Sequence, residues 1–380
     1  MTSARWGDVC HLHYGKALRD YPEEPSDENQ IRVFGTNGPI GWTTQALCPQ
    51  AGIIIGRKGA YRGVHFSPEP FFVIDTAYYL ELTSEGVHLK WAYYKLLTVD
   101  INRMDVGAAI PTTNRDEFHA LPLSYPAWDV QTKIADVLSA YDDLVENNRR
   151  RMALLEEAAR QLYREWFVRL RFPGHEHTRI INGVPEGWKR KSLVELCESV
   201  DYGYTASAQQ EEIGPKFLRI TDIVPAFIDW STVPHCPISE ERLDKFRLCE
   251  GDIVVARTGA TVGYGKRLHK RHPEAVFASY LVRFRIKPVV DNLMVGIFVE
   301  SDTYKAYVKS RVGGAAQPNA NARVLAGAQI LVPSPVLQRT FHEIVEPLVD
   351  QREILQFENE KLKAARNLLL PRLMNGEIAV

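Results

Sequence analysis

Two stretches of the chain place cations on glycine-rich turns. Gly56-Arg57-Lys58-Gly59-Ala60-Tyr61-Arg62-Gly63 follows the apolar run Ile53-Ile54-Ile55, and Ala256-Arg257-Thr258-Gly259-Ala260 follows Ile253-Val254-Val255. Glycine lets a backbone approach a phosphate closely, Arg hydrogen-bonds guanine bidentately in the major groove, and Lys neutralises phosphate. Arg57, Lys58, Tyr61, Arg62, Arg257 and Thr258 are therefore candidate DNA contacts. The plain alternative is a hairpin turn with solvated charges; recurrence of the pattern 200 residues on favours contact.

Thr36 and Asn37, in the turn-rich segment Val33-Phe34-Gly35-Thr36-Asn37-Gly38-Pro39, could read base edges, Asn suiting adenine. They could equally form a tight turn that needs Asn37-Gly38. The run Lys266-Arg267-Leu268-His269-Lys270-Arg271-His272 is the densest positive charge in the chain. Such runs are usually solvated faces; beside a candidate DNA turn, Lys266, Arg267, Lys270 and Arg271 read as a phosphate clamp.

Other chemistries fail at the residue level. Gly259 to Arg267 resembles a P-loop loosely, but Ala260 stands where a glycine is required and Arg267 where Ser or Thr is required. Gly263-Tyr264-Gly265 lacks the third glycine of a dinucleotide fingerprint. The pairs His11/His13 and His175/His177 have no third ligand nearby, so no metal site is expected. Nucleophile elbows, H-E-x-x-H, deaminase signatures and the Asn/Asp-Pro-Pro-aromatic motif of adenine methyltransferases do not occur, so no catalytic residue is assigned.

These residues need elements to carry them. At 380 residues and 45% hydrophobic content the chain holds two or three domains. Five scattered cysteines without C-x-x-C read as reduced and structural. A long apolar segment and a signal peptide are both missing, which makes the cytoplasm the expected location, with no membrane contact. Net charge is only -1, but residues 1–126 carry 11 Lys/Arg against 14 Asp/Glu and residues 186–335 carry 20 against 17, so the second half is expected to bind phosphate more strongly.

The chain is also written twice. Beyond the glycine-rich turns, Gly107-Ala108-Ala109-Ile110-Pro111 recurs as Gly314-Ala315-Ala316-Gln317-Pro318. Each half then closes in a long helical pattern. Ile134, Leu138, Tyr141, Val145, Asn148, Met152, Leu155, Ala159, Leu162 and Trp166 alternate steps of four and three, while Leu348, Leu355, Leu362 and Leu369 recur every seven. Polar Asn148, Arg352 and Asn359 on or beside these seams would fix register. Pro122, Pro126, Pro333 and Pro335 precede the helices, whereas Phe172-Pro173-Gly174 and Pro371 with Asn375-Gly376 follow them.

The expected fold is α+β: two sheet-containing recognition domains in pseudo-two-fold tandem, separated by two long helices forming an antiparallel coiled coil. The expected boundaries are 1–126 and 188–335 for the domains, 127–170 for the central helix, 171–187 for the linker, 336–372 for the C-terminal helix and 373–380 for the tail. A first seam from Ile134 to Trp166 would span about 50 Å at about 1.5 Å per residue, or roughly 15 base pairs. That length suits a DNA reader with two separated half-sites, about one helical turn or more apart.

Tyr141-Asp142-Asp143-Leu144-Val145-Glu146-Asn147-Asn148-Arg149-Arg150-Arg151, Leu162-Tyr163-Arg164-Glu165-Trp166-Phe167, Val184-Pro185-Glu186-Gly187-Trp188 and Leu369-Leu370-Pro371-Arg372-Leu373-Met374-Asn375-Gly376 together resemble type I restriction-modification specificity subunits over essentially the whole length. Tyr14-Gly15-Lys16 resembles one class of first recognition domain and adds Lys16 to the candidate contacts. The resemblance implies a non-catalytic DNA reader of a bipartite, asymmetric target. It implies two methyltransferase subunits that bring S-adenosylmethionine and methylate adenine, and motor-nuclease subunits that use ATP and magnesium, with no cofactor in this chain. Asn148, Leu155, Leu162, Trp166, Leu355, Leu362 and Leu369 are then candidate partner-binding positions. The start at Trp6-Gly7-Asp8 is shorter than the stretch before Trp188, so the leading strand of the first domain is expected to differ. A coiled-coil scaffold without sequence-specific DNA reading is the alternative that the heptads alone permit.

Overall fold

The computed structural model describes residues 1–104, 111–312 and 318–380. The chain divides into two units, Met1–Val145 with Lys361–Val380, and Glu146–Glu360.

In the first unit the strand order is Cys10–Tyr14, Ala77–Leu82, Gly52–Gly56, Val64–Ser67, all antiparallel. In the second it is Cys197–Tyr202, Leu281–Ile286, Ile253–Ala256, Gly265–Arg267, again antiparallel. The unbroken apolar runs at 53–55 and 253–255 follow from strand periodicity. Ile53 and Ile55 enter one core and Ile54 another, just as Ile253 and Val255 part from Val254. A strand covered on both faces has no polar positions to alternate.

Satellite pairs repeat too. Ile31–Gly35 runs parallel to Phe71–Val73, and Lys216–Leu218 runs parallel to Ala275–Phe277. The leading strand Thr2–Arg5 pairs with Pro122–Tyr125 as Lys189–Ser192 pairs with Gln329–Val332, so the first unit does not lack the equivalent strand. Each leading strand enters a single helical turn through a carboxylate that accepts its backbone N–H: Asp8 from Arg5 at 2.7 Å and Glu195 from Ser192 at 2.8 Å. The thiols of Cys10 and Cys197 each lie 3.1 Å from the carbonyl four residues back, and all five cysteines are free.

The heptads fold as Trp128–Tyr163, continued by a π-helical turn Arg164–Val168, and Pro335–Met374. Within the first unit Ile134 and Leu138 share a core with Leu370 and Leu373, and Asp142 accepts from Arg366 at 3.1 Å. Within the second, buried Asn148 donates to buried Asn359 at 3.0 Å, and the Trp166 and Phe341 rings lie 5.7 Å apart. In both units rising numbers on one helix meet falling numbers on the other, the antiparallel pairing expected of the seams. Pro371, expected beyond the helix, lies in its last turns; the stop comes at Gly376, with φ of 74°. Pro335 is the first helical residue, where a missing N–H leaves nothing unpaired.

Candidate nucleic-acid interface

Both glycine-rich turns hang on the same backbone frame. Arg57 N–H donates to the Thr76 carbonyl at 2.9 Å and its carbonyl accepts from Thr113 at 2.8 Å; Arg257 donates to Tyr280 at 3.0 Å and accepts from Ala320 at 2.8 Å. Gly59 donates to the Pro111 carbonyl and Gly259 to that of Pro318, each at 3.0 Å, with φ of 124° and 80°. Only glycine holds that left-handed region without strain. Of the repeated Gly107/Gly314 segments, residues 107–110 and 314–317 lie outside the described residues, while Pro111 and Pro318 are placed equivalently by these bonds.

The frame presents each arginine to a tyrosine. The Arg57 guanidinium lies 5.0 Å from the Tyr14 ring centroid and 5.9 Å from that of Tyr78, and Arg115 lies 5.5 Å from Tyr14. In the second unit Arg257 lies 4.7 Å from the Tyr202 ring, with one amino group 3.4 Å from the Asn319 side-chain oxygen. Tyr14 and Tyr202 end equivalent strands and are 50% and 43% exposed. Each is followed by a glycine at a point of contact: a Cβ on Gly15 would sit 2.0 Å from the Ile74 carbonyl oxygen, and on Gly203 2.2 Å from that of Ala278. Burial, helped by neighbouring Tyr14, pushes the Tyr78 phenol up to about 12. It therefore stays neutral and donates to the Thr113 carbonyl at 3.2 Å.

Tyr61, 71% exposed, projects from the first turn; Asn37 and Lys16 are exposed, and Lys58, 3.8 Å from Asp75, and Thr258 are partly so. The Thr36 hydroxyl is occupied, 2.8 Å from the Lys58 carbonyl and 2.6 Å from that of Thr76, so it fastens the neighbouring turn and leaves no hydroxyl proton for a base.

Arg62 does not belong to this surface. It is 2% exposed and its guanidinium donates to the carbonyls of Ile101, Asn102 and Met104 at 3.0–3.1 Å. Three inward-facing carbonyls need hydrogen-bond donors there, and one guanidinium supplies all of them.

The basic run is also spent largely inside its unit. Buried Lys266 donates to the Ala226 carbonyl at 2.9 Å and lies 3.3 Å from Glu300; Arg267 bonds Asn292 at 2.6 Å and lies 3.5 Å from Glu346. His269 and Lys270 both reach Asp350, at 2.7 and 2.9 Å. The expected phosphate clamp is thus largely a set of internal ion pairs, Lys266 to Glu300 and Arg267 and Lys270 to the Pro335–Met374 helix; among the described residues, Arg271 alone of the four cations is exposed without a carboxylate partner. His269, Glu346 and Asp350 lie close enough to hold an ion, but Arg267 and Lys270 already neutralise the two carboxylates.

The helix positions named for partners face inward. Asn148, Trp166 and Leu355 are buried and Leu155, Leu162, Leu362 and Leu369 half-buried, because a seam that closes on its own chain has no face left to offer. Tyr14, Arg115, Tyr202 and Asn319 were not among the candidate contacts. The repeated Tyr-Gly pair at 14–15 and 202–203 is the signal that marks two of them.

The family model described as the type I restriction modification DNA specificity domain matches residues 1–157. The type I restriction enzyme MjaIX specificity subunit of Methanocaldococcus jannaschii is 23% identical over 97% of this chain and 84% of its own. The MjaVIII specificity subunit of the same organism is 25% identical over 72% of this chain and 66% of its own. The crystal structure of a type I restriction-modification S subunit from M. genitalium superposes with a TM-score of 0.60 at 17% identity, covering 98% of this chain and 95% of that one, which shows the shared fold. The chain is thus similar to type I restriction-modification specificity subunits, matching their DNA specificity domain over residues 1–157 and sharing their fold along its length.

Proposed function

We propose that the chain is the non-catalytic specificity subunit of a type I restriction-modification complex, each unit reading one half of a bipartite, asymmetric DNA target. The observation that carries this reading is the doubled frame with an arginine held on an exposed tyrosine, built from the same backbone bonds but surrounded by different side chains. Equal frames give equal modes of approach to a duplex, and unequal tips give unequal half-sites.

Methyltransferase subunits carrying S-adenosylmethionine, and motor-nuclease subunits using ATP and magnesium, are the partners this reading assigns. They would meet the outer faces of the helices, where Leu144, Leu154 and Leu368 are exposed. Among the described residues no helix is long and apolar enough to cross a membrane.

The test is the methylome of a host that expresses this chain with its cognate methyltransferase, before and after residues 186–335 are replaced by those of a relative. The expected result is a split adenine-methylated motif of which one half changes and the other stays. Methylation that ignores the exchange, or is absent from the unaltered complex, would leave a scaffold without sequence choice.

A further inference from the structure

Several arginines of the two units are tied down within the fold. Arg62, Arg219, Arg267, Arg283 and Arg285 have their donors fixed to carbonyls or carboxylates. Arg57 and Arg257 do not: each lies at the end of a core strand, half-exposed, backed by a tyrosine ring. Among the described residues no hydrogen bond engages the Arg57 guanidinium, and that of Arg257 has only the long 3.4 Å contact to Asn319. A ring behind a guanidinium limits its rotation without using its N–H groups. The fork is then oriented before it meets a ligand, as bidentate recognition of a planar acceptor pair requires.

Such a pair, O6 and N7, is offered in the major groove by guanine. Resting on the reading of the chain as a DNA specificity subunit, we infer that Arg57 and Arg257 are its specificity-determining residues for guanine, one in each half-site. The shared frame places a guanine at the matching position of both half-sites. The differences come from around it: Thr76 against Tyr280, which occupy the same acceptor position, and Arg115 against Ala322, each the first residue after the helix caps Asn114 and Asn321. Arg115 adds a second cation over Tyr14, whereas the Ala322 N–H donates to the Tyr202 hydroxyl at 2.9 Å.

The experiment uses the full chain with its methyltransferase subunits and a set of duplexes in which each pair of the methylome-defined target is replaced in turn. Binding is followed by competition anisotropy. The unaltered complex is expected to lose about 10- to 100-fold in affinity at one G·C pair in each half. Replacing that guanine with 7-deazaguanine, which removes N7 alone, also weakens binding. Arg57→Lys keeps the charge and loses the fork; it should abolish discrimination at one of these pairs, make the complex indifferent to 7-deazaguanine there, and leave the other half unchanged. Arg257→Lys should do the converse. Equal weakening of every duplex by these substitutions would make both residues phosphate contacts and overturn the inference while the specificity reading stands. An unaltered complex that binds all duplexes alike would overturn both.

Discussion

Arg115 and Arg62 show how differently two cations of one unit can act. Arg115 lies over an exposed ring and has no carboxylate partner among the described residues. Arg115→Ala, which copies Ala322, is expected to change base preference beside the Arg57 position of the first half-site, read on the same set of duplexes, while leaving the second half-site and the melting temperature unmoved. Arg62→Ala should instead destabilise the first unit by about 3 kcal/mol, because three buried carbonyls lose a charged donor. Thermal melting reads that loss, and DNA affinity measured below the transition should not move. The glycine-rich motif could not separate Arg62 from Arg57: it shows two cations near a turn, while the carbonyls that claim Arg62 come from residues 101–104.

At the scale of elements, what was legible is what is local. Heptad spacing is written within one helix, so both long helices, and Asn148 and Asn359 on their seam, follow from the sequence. The buried amide pair should fix register at the expense of stability. Asn148→Leu with Asn359→Leu is accordingly expected to raise the thermal midpoint by a few degrees, on the order of 1 kcal/mol, while pairings offset by a heptad become detectable by cysteine cross-linking. A double variant that melts lower with unchanged register would show that the pair serves packing alone. The parallel pairing of Ile31–Gly35 with Phe71–Val73 was illegible, since its partners lie some forty residues apart and each run alone fits either orientation. The basic run was misread for the same reason: its acidic counterpart lies about 80 residues further on, at Glu346 and Asp350.

For the whole molecule, the ion pairs that hold a module together and to its long helix are densest in the second unit. The second relies on carboxylates. Burial pushes Asp350 and Glu300 up, but hydrogen bonds from Lys270 and His269 to the first, and the Lys266 and Arg352 charges beside the second, more than offset it, leaving both below the usual range. A depressed carboxylate supports the fold fully above its unfolded value of about 4, and that support is lost progressively as pH falls from there through its lower folded value. Calorimetric melts from pH 7 to 3 should show the transition of the second unit falling more steeply than that of the first, and Asp350→Asn should flatten that fall. Net charge of -1 disclosed none of this, because the compensating charges sit within one unit.

The frame around Arg57 and Arg257 is fastened by main-chain N–H and C=O groups and by glycines. Residues at its tips, Thr76 or Tyr280, Arg115 or Ala322, can be exchanged without disturbing those bonds. Drift at these positions is therefore nearly neutral for folding; on the proposed reading of the chain it would alter the target, so a lineage could acquire a new half-site through a few substitutions that selection on stability does not oppose.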